Sequence, residues 1–219
     1  MDDCQTDKRM NILAIESSLP KASLCLSQQG NITVSASWEA ERNHDSHLFP
    51  ALRQAMEALG EQQLDYVLVG AGPGSYGGVR VALAAAVGIS TVKGARVVAI
   101  SSWDSLAEDG VCIISDARRG GWTLRRTDGS IEVLPTAALL AEIENGLVVA
   151  SIESAELLQK NGISAVRTSL QPTAEGLVRS WCALSPACRE ELAARPAEPI
   201  YVRPPHITEA KRKPWEIQN

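Results

Sequence analysis

Few residues in this sequence have the type and spacing to do chemistry. The glycine-rich stretch Gly72-Pro73-Gly74-Ser75-Tyr76-Gly77-Gly78 holds a serine, but Gly74-Ser75-Tyr76-Gly77 lacks the Gly-x-Ser-x-Gly spacing of a nucleophile elbow. No histidine is clearly placed to activate Ser75, which suits a helix cap better. His44 and His47 lie three apart and can share a helical face with Asp45. A metal centre needs at least three well-placed ligands with supporting partners, and the third histidine, His206, lies in the tail, so no metal is expected. A peptidase reading would need that metal and is set aside. The five cysteines (Cys4, Cys25, Cys112, Cys182, Cys188) are odd in number and contain no Cys-x-x-Cys pair. They read as reduced thiols, with Cys25 and Cys112 as small buried hydrophobes.

The same loop satisfies Gly72-x-Gly74-x-x-Gly77, the dinucleotide fingerprint. The next strand ends Ala99-Ile100-Ser101-Ser102, with no acid to hold a ribose, and a strand meander precedes the motif. Both features argue against a Rossmann enzyme. What remains is a strand-to-helix turn whose glycines allow close backbone approach, with Pro73 stiffening it and Ser75 capping the helix. That helix start could hold an anion, or the turn could simply pack.

These residues need elements to hold them. Residues 10–16 read as a strand. Alternation at 22–28, a hairpin turn at Gln29-Gly30-Asn31 and alternation at 32–38 complete a meander. Leu48, Leu52, Met56 and Leu59 have helical spacing, with Asp45 or Ser46 to start the helix and Gly60 to stop it. Residues 64–71 form an apolar strand, Val79, Leu83 and Val87 mark a second helix ending near Gly94, and 96–100 is a fifth strand. The second half repeats this order. Strands are expected at 111–115, 122–126 and 131–134, with a turn over 116–121. A Thr136-capped helix runs to Glu144, then strand 147–151, helix 155–159, a fifth strand at 164–168 and a last helix capped by Thr173. Residues 185–199 read as a connector and 200–203 as a short added strand.

The fold class is therefore α/β, with β-β-β-α-β-α-β occurring twice, the tandem architecture of the actin, sugar-kinase and Hsp70 ATPase (ASKHA) class. Its domains are a disordered extension at 1–9, an N-terminal half at 10–103, a C-terminal half at 104–203 and a tail at 204–219. Ligands of that class sit between the halves, on two turns that hold phosphate and metal. Asp116 suits the second turn. The first, Glu16-Ser17-Ser18-Leu19-Pro20, has no glycine and carries Glu where the class has Asp, so its backbone cannot easily reach a phosphate.

The segment from Val69 to Arg80 resembles the Gly-Pro-Gly-Ser-Phe-Thr-Gly-(Leu/Val/Ile)-Arg signature of the TsaB (YeaZ) and TsaD group. Residues 11–18 are similar to its opening strand and Asp-Thr-Ser turn, His47-Leu48-Phe49-Pro50 to its first helix, Asp116-Ala117-Arg118-Arg119 to its second-domain turn, and Pro199-Ile200-Tyr201-Val202-Arg203 to its late motif. The resemblance implies a TsaB-like, non-catalytic subunit, with no cofactor of its own. It would bind and activate a TsaD-type catalytic subunit in threonylcarbamoyl transfer to N6 of the adenosine beside the tRNA anticodon. A nucleotide at a cleft shared with the partner stays open. A TsaE-type ATPase and a second copy of the chain are further implied partners, with tRNA reached indirectly through the complex.

Carried over residue by residue, the interface implied is Leu48, Leu52 and Met56 on the first helix with Val79, Leu83 and Ala86 on the second. The family-motif loop is Gly72, Pro73, Gly74, Ser75, Tyr76, Gly78 and Arg80, and the second-domain turn carries Asp116 and Arg118. The alternative is a self-sufficient ATP-dependent enzyme of the sugar-kinase type. A homodimeric scaffold is a third reading.

Bulk properties bound the function without naming it. Net charge is −5 and the pI about 5.3, unlike a stand-alone nucleic-acid binder. The basic tail Lys211-Arg212-Lys213-Pro214-Trp215 could touch RNA, although solvation is its simpler role. No signal-peptide pattern and no run of ~20 apolar residues occurs, so a cytoplasmic protein away from membranes is expected.

Overall fold

A computed structural model of the chain describes residues 10–39 and 45–202, with the side chains of Asp45 and Ser46 left out. Cys4, His44, Arg203, His206, the basic tail and the Asp45 or Ser46 cap lie outside the described residues.

The first half follows the expected order. Strands β1 (Asn11–Glu16), β2 (Lys21–Gln28) and β3 (Asn31–Glu39) form an antiparallel meander. Helix α1 (Asp45–Leu59), strand β4 (Tyr66–Gly70), helix α2 (Tyr76–Lys93) and strand β5 (Arg96–Ile100) follow. The sheet order is β3-β2-β1-β4-β5, with β4 parallel to both β1 and β5. Every residue of β1 is buried, as its unbroken apolar run requires of a strand covered on both faces.

Each face has its own cover. Leu13, Ile15, Leu24 and Leu26 pack under α1 and α2, through Ala55, Leu59, Val79, Ala82, Leu83 and Ala86. Ile12, Ala14, Cys25, Leu68, Val98 and Ile100 face the other way. Burial, with the charge of Glu175 adding, pushes the Cys25 thiol up to about 12, which suits an inert core residue.

The second half runs β6 (Cys112–Arg118), β7 (Gly121–Arg125), β8 (Ile131–Pro135), α3 (Thr136–Glu144), β9 (Val149–Ser151) and α4 (Ala155–Lys160), in the sheet order β8-β7-β6-β9. The expected fifth strand at 164–168 is reduced to one parallel bridge between Ala150 and Arg167. β9 offers only three residues, and the chain turns away at Ser169, whose φ is 54°. Thr136 does not cap α3. Pro135 stands at the N-cap without a side-chain bond, while the Thr136 hydroxyl donates to Gly120 O (3.0 Å) and accepts from Trp122 Nε1 (3.2 Å).

Helix α5 (Ala174–Ala183) starts at Thr173, whose hydroxyl accepts from Gly176 N. It crosses back to the first half: Ala174, Leu177, Val178 and the fully buried Trp181 cover the open face of β1, β2 and β4. Residues 174–193 thus follow the second half in sequence and pack on the first sheet. The expected connector contains helix α6 (Pro186–Ala193), capped by Ser185 and started by Pro186, and no strand forms over 200–202. A 3₁₀ helix, Ser102–Leu106, joins the halves. Its Asp104 Oδ1 accepts from Arg125 Nε (2.9 Å) and Nη2 (2.6 Å), and its backbone O accepts from the Ser180 hydroxyl.

Candidate functional site

The glycine loop lies against the β1–β2 turn, and the fit explains which glycines it needs. A Cβ on Gly74 would sit 2.1 Å from Ser18 O, and one on Gly78 would sit 2.0 Å from Ser17 O. Ser75 N donates to Ser18 O (2.6 Å) and Ser17 Oγ donates to Gly78 O (2.8 Å). Ser75 is the N-cap of α2, its Oγ accepting from Gly78 N (3.2 Å), so the hydroxyl serves the helix. Gly72 O accepts from Ser102 N, and Gly72 N donates to Ser102 Oγ. The Gly72-Pro73-Gly74-Ser75 segment is thereby stitched to the β1–β2 turn and to the junction between the halves.

Glu16 closes the turn from within. Its side chain is buried, Oε1 accepts from Ser18 N (2.6 Å), and Oε2 lies in the space that a Cβ on Gly70 would fill, beside the Ser102 hydroxyl. Burial raises its pKa, partly offset by hydrogen bonds from Ser18, Ser102 and Ser17.

A cleft of about 500 Å³ opens between the halves. One wall carries Ser18, Gly74 and Tyr76; the other carries Ser115, Asp116, Arg118 and Glu153; Tyr201 closes one side. Glu153 Oε1 accepts from Ser115 Oγ (2.9 Å) and Asp116 N (3.0 Å), and Asp116 Oδ1 accepts from Arg118 N (2.6 Å). A nucleotide phosphate fits this wall poorly. Ser18 N already serves Glu16, Ser18 O accepts from Ser75 N and the Ser17 hydroxyl donates to Gly78 O, so these groups of the first turn are spent within the protein. Among the described residues no group of three His, Cys, Asp or Glu side chains could hold a metal ion. Where the Rossmann reading would need an acid, β5 runs into Ser101 and Ser102, which bind the glycine loop.

The residues expected at an interface separate into two sets. Val79, Leu83 and Ala86 are buried under α2 against the sheet and cannot meet a partner. Helical spacing puts these three on one face, and it is the face that α2 turns to the sheet. Leu48, Leu52 and Met56 border a groove of about 620 Å³ between α1 and α2, although Leu48 and Leu52 are themselves buried in the same core and Met56 only partly so. The residues of α2 facing that groove are Val81, Ala84, Ala85, Gly88 and Ile89, with Phe49 and Arg53 across from them. Phe49 is 58% exposed, and Val87, on the outer side of α2, is 53% exposed. Spacing alone places these side chains on the outer face. His47 is exposed near Trp38 and Pro50. Among the described residues no helix is long and apolar enough to cross a membrane.

Comparison with known proteins places these features in context. Residues 37–165 match the family model described as TsaD, tRNA N6-adenosine threonylcarbamoyltransferase. The tRNA threonylcarbamoyladenosine biosynthesis protein TsaB of Bacillus subtilis is 29% identical over 119 residues, which is 51% of this chain and 52% of that protein. The chain thus spans about half the length of this relative. An uncharacterized protein of Mycobacterium tuberculosis is 28% identical over 204 residues, 89% of this chain and 92% of its own. The structure titled YeaZ from Pseudomonas aeruginosa superposes with a TM-score of 0.65 at 24% identity, covering 88% of this chain and 99% of that one, a likeness of fold.

Proposed function

Because its residues 37–165 match that model, the chain belongs to the TsaD family, and from this premise we propose that it is a non-catalytic subunit that docks a TsaD-type catalytic subunit and activates threonylcarbamoyl transfer to N6 of the tRNA adenosine beside the anticodon. The observation that carries the reading is the uncovered apolar groove between α1 and α2. Two adjacent helices spend their inner faces on the sheet and still present Phe49, Val81, Ala85, Val87 and Ile89 outward. Small residues at Ala84, Ala85 and Gly88 let a partner helix come close, as in the tightly packed centre of an interface. A rigid, occupied first turn supports a structural role for the inter-half cleft.

The test is co-purification of the full chain with a TsaD-type protein. Ala84 is exposed, so Ala84→Glu leaves the monomer folded and should abolish the complex. A complex that survives this charge would refute the placement. The same groove can take a second copy of the chain, and mass photometry of the chain alone, with and without Ala84→Glu, separates the two occupants. Retention of the cleft with Asp116 on its wall favours one other reading, an ATP-dependent enzyme. Calorimetric titration with ATP and Mg²⁺ decides it, since tight binding by the isolated chain would support the enzyme. A TsaE-type ATPase would join the assembled complex as a further partner.

A further inference from the structure

Two half-exposed tyrosines meet at the mouth of the inter-half cleft. Tyr76 is 54% and Tyr201 49% exposed, and their rings stack with centroids 5.3 Å apart at 28°. They come from distant parts of the chain. Tyr76 opens α2, and Tyr201 is held by the bond from Ile200 N to Ala71 O (2.8 Å). Arg80, one turn along α2, lies over the Tyr76 ring at 5.1 Å and donates to its hydroxyl (3.0 Å). Tyr76 thus has both Arg80 and Tyr201 against its ring, and about half of each tyrosine stays open to solvent. Burying neither ring in a core is unusual for two large aromatics that could bury apolar area.

Charge is segregated at the same place. Arg53, Arg96, Arg125, Arg126, Arg167 and Arg195 each pair with a carboxylate. Arg80, Arg118, Arg119 and, away from this site, Arg179 have no carboxylate partner among the described residues, and the first three gather near the cleft mouth. Arg118 lines the cleft opposite Tyr76, and Arg119 adjoins it in the same turn. Both hold positive φ (63° and 54°), which carries this pair of exposed side chains outward at the tip of the β6–β7 turn. In a chain of net charge −5, unpaired guanidinium groups around an aromatic stack are a local exception.

We propose that this stack is a contact site for single-stranded RNA, with one unpaired base stacking on Tyr201 and the flanking phosphates held by Arg80 and Arg118. Stacking is tolerant of base identity, and arginine supplies the backbone contacts, which is the usual division of labour in single-strand recognition. The cleft volume of about 500 Å³ accommodates a nucleoside. Asp116 and Glu153 on the inner wall repel phosphate, so the backbone stays at the rim and only a base can enter. A base with an exocyclic amino group would donate to those carboxylates. The inference deepens the proposed role in tRNA modification and rests on it for the identity of the RNA; it replaces an indirect tRNA contact with a direct one.

The experiment measures binding of a fluorescein-labelled tRNA anticodon stem–loop to the full chain, alone and assembled with its TsaD-type partner, by fluorescence anisotropy across a salt series. Tyr201→Ala should weaken binding roughly five- to a hundredfold, while Tyr201→Phe, which keeps the ring, should retain it. Arg80→Ala should lower the slope of log affinity against log salt by about one. Arg195→Ala, just beyond the end of α6, should change nothing, and thermal melts confirm that each variant is folded. Equal RNA affinity for Tyr201→Ala and the parent, or no RNA binding by the parent in either form, overturns the site. Loss of the partner without loss of RNA binding in Tyr201→Ala assigns the stack to a protein contact and also overturns it. Ala84→Glu tests docking at the separate α1–α2 groove, so failure there leaves the RNA result readable.

Discussion

Gly88 gives a direct way to ask whether the outer face of α2 is shaped for something other than the chain itself. It lies well inside an eighteen-residue helix, is exposed, and a Cβ built on it would meet nothing within 4 Å. Its φ is not among the positive values. Nothing within the molecule therefore requires glycine there, and the helix bears its conformational cost. Replacing Gly88 with Ala should stabilise the isolated chain by about 0.5–1 kcal/mol. For a domain of this size that is a rise in melting temperature of about 1–4 °C. Gly88→Leu should leave the monomer near the Ala variant, since the two residues have similar helix propensity. Its side chain, however, fills the groove beside Leu52 and Ala85, and should weaken partner binding by about tenfold or more, equivalent to about 1.4 kcal/mol. Denaturant titration and scanning fluorimetry read the stability, and titration of the partner by biolayer interferometry reads the affinity. A Gly88→Ala chain that melts lower than its parent, or a Gly88→Leu chain that binds the partner undiminished, would refute the reasoning.

Neighbouring glycines should behave oppositely: Gly77→Ala meets open space and should be neutral to slightly stabilising, whereas Gly78→Ala drives a methyl into Ser17 O and should cost about 1–3 kcal/mol or more, both measured by urea unfolding. Glu16 has a folded pKa raised by burial, so its contribution is complete below the unfolded value near 4.5 and is lost as pH rises through the folded value. Glu16→Gln should therefore flatten this part of the stability–pH profile and gain on the parent as pH rises above that range, and parallel profiles would contradict the assignment. Asp104→Ala leaves Arg125 buried without its carboxylate and should cost about 2–3 kcal/mol, below the ~3–5 kcal/mol typical of fully buried pairs because Asp104 is 36% exposed. Chemical denaturation of that variant checks the figure.

The order of elements was readable because period and punctuation agree in the first half. The alternation of β2 and β3, the turn at Gln29-Gly30 and the Ser75 and Gly94 caps of α2 are local signals, and local signals decided them. The fifth strand of the second half was not readable, since pairing with a three-residue β9 is a tertiary matter. Helix α6 was hidden by its Pro- and Ala-rich composition, although Ser185-Pro186 is a helix start. The glycine loop announced close backbone contact, but only the structure shows that the contact is with Ser17 and Ser18. The largest shift concerns α2. The resemblance implied Val79, Leu83 and Ala86, yet these fill the core, and Val81, Ala84, Ala85, Gly88 and Ile89 form the open face. Tyr201 carried no such signal, because stacking across more than a hundred residues of sequence cannot be read from spacing.

The central claim is that this chain supplies a surface and its partner supplies the chemistry. The most direct test is incorporation of labelled threonylcarbamoyl into unmodified tRNA by this chain alone, by the TsaD-type subunit alone, by both, and by both with Ala84→Glu. The account predicts turnover with the unaltered pair and its loss in the Ala84→Glu pair. Transfer by this chain without a partner would contradict it.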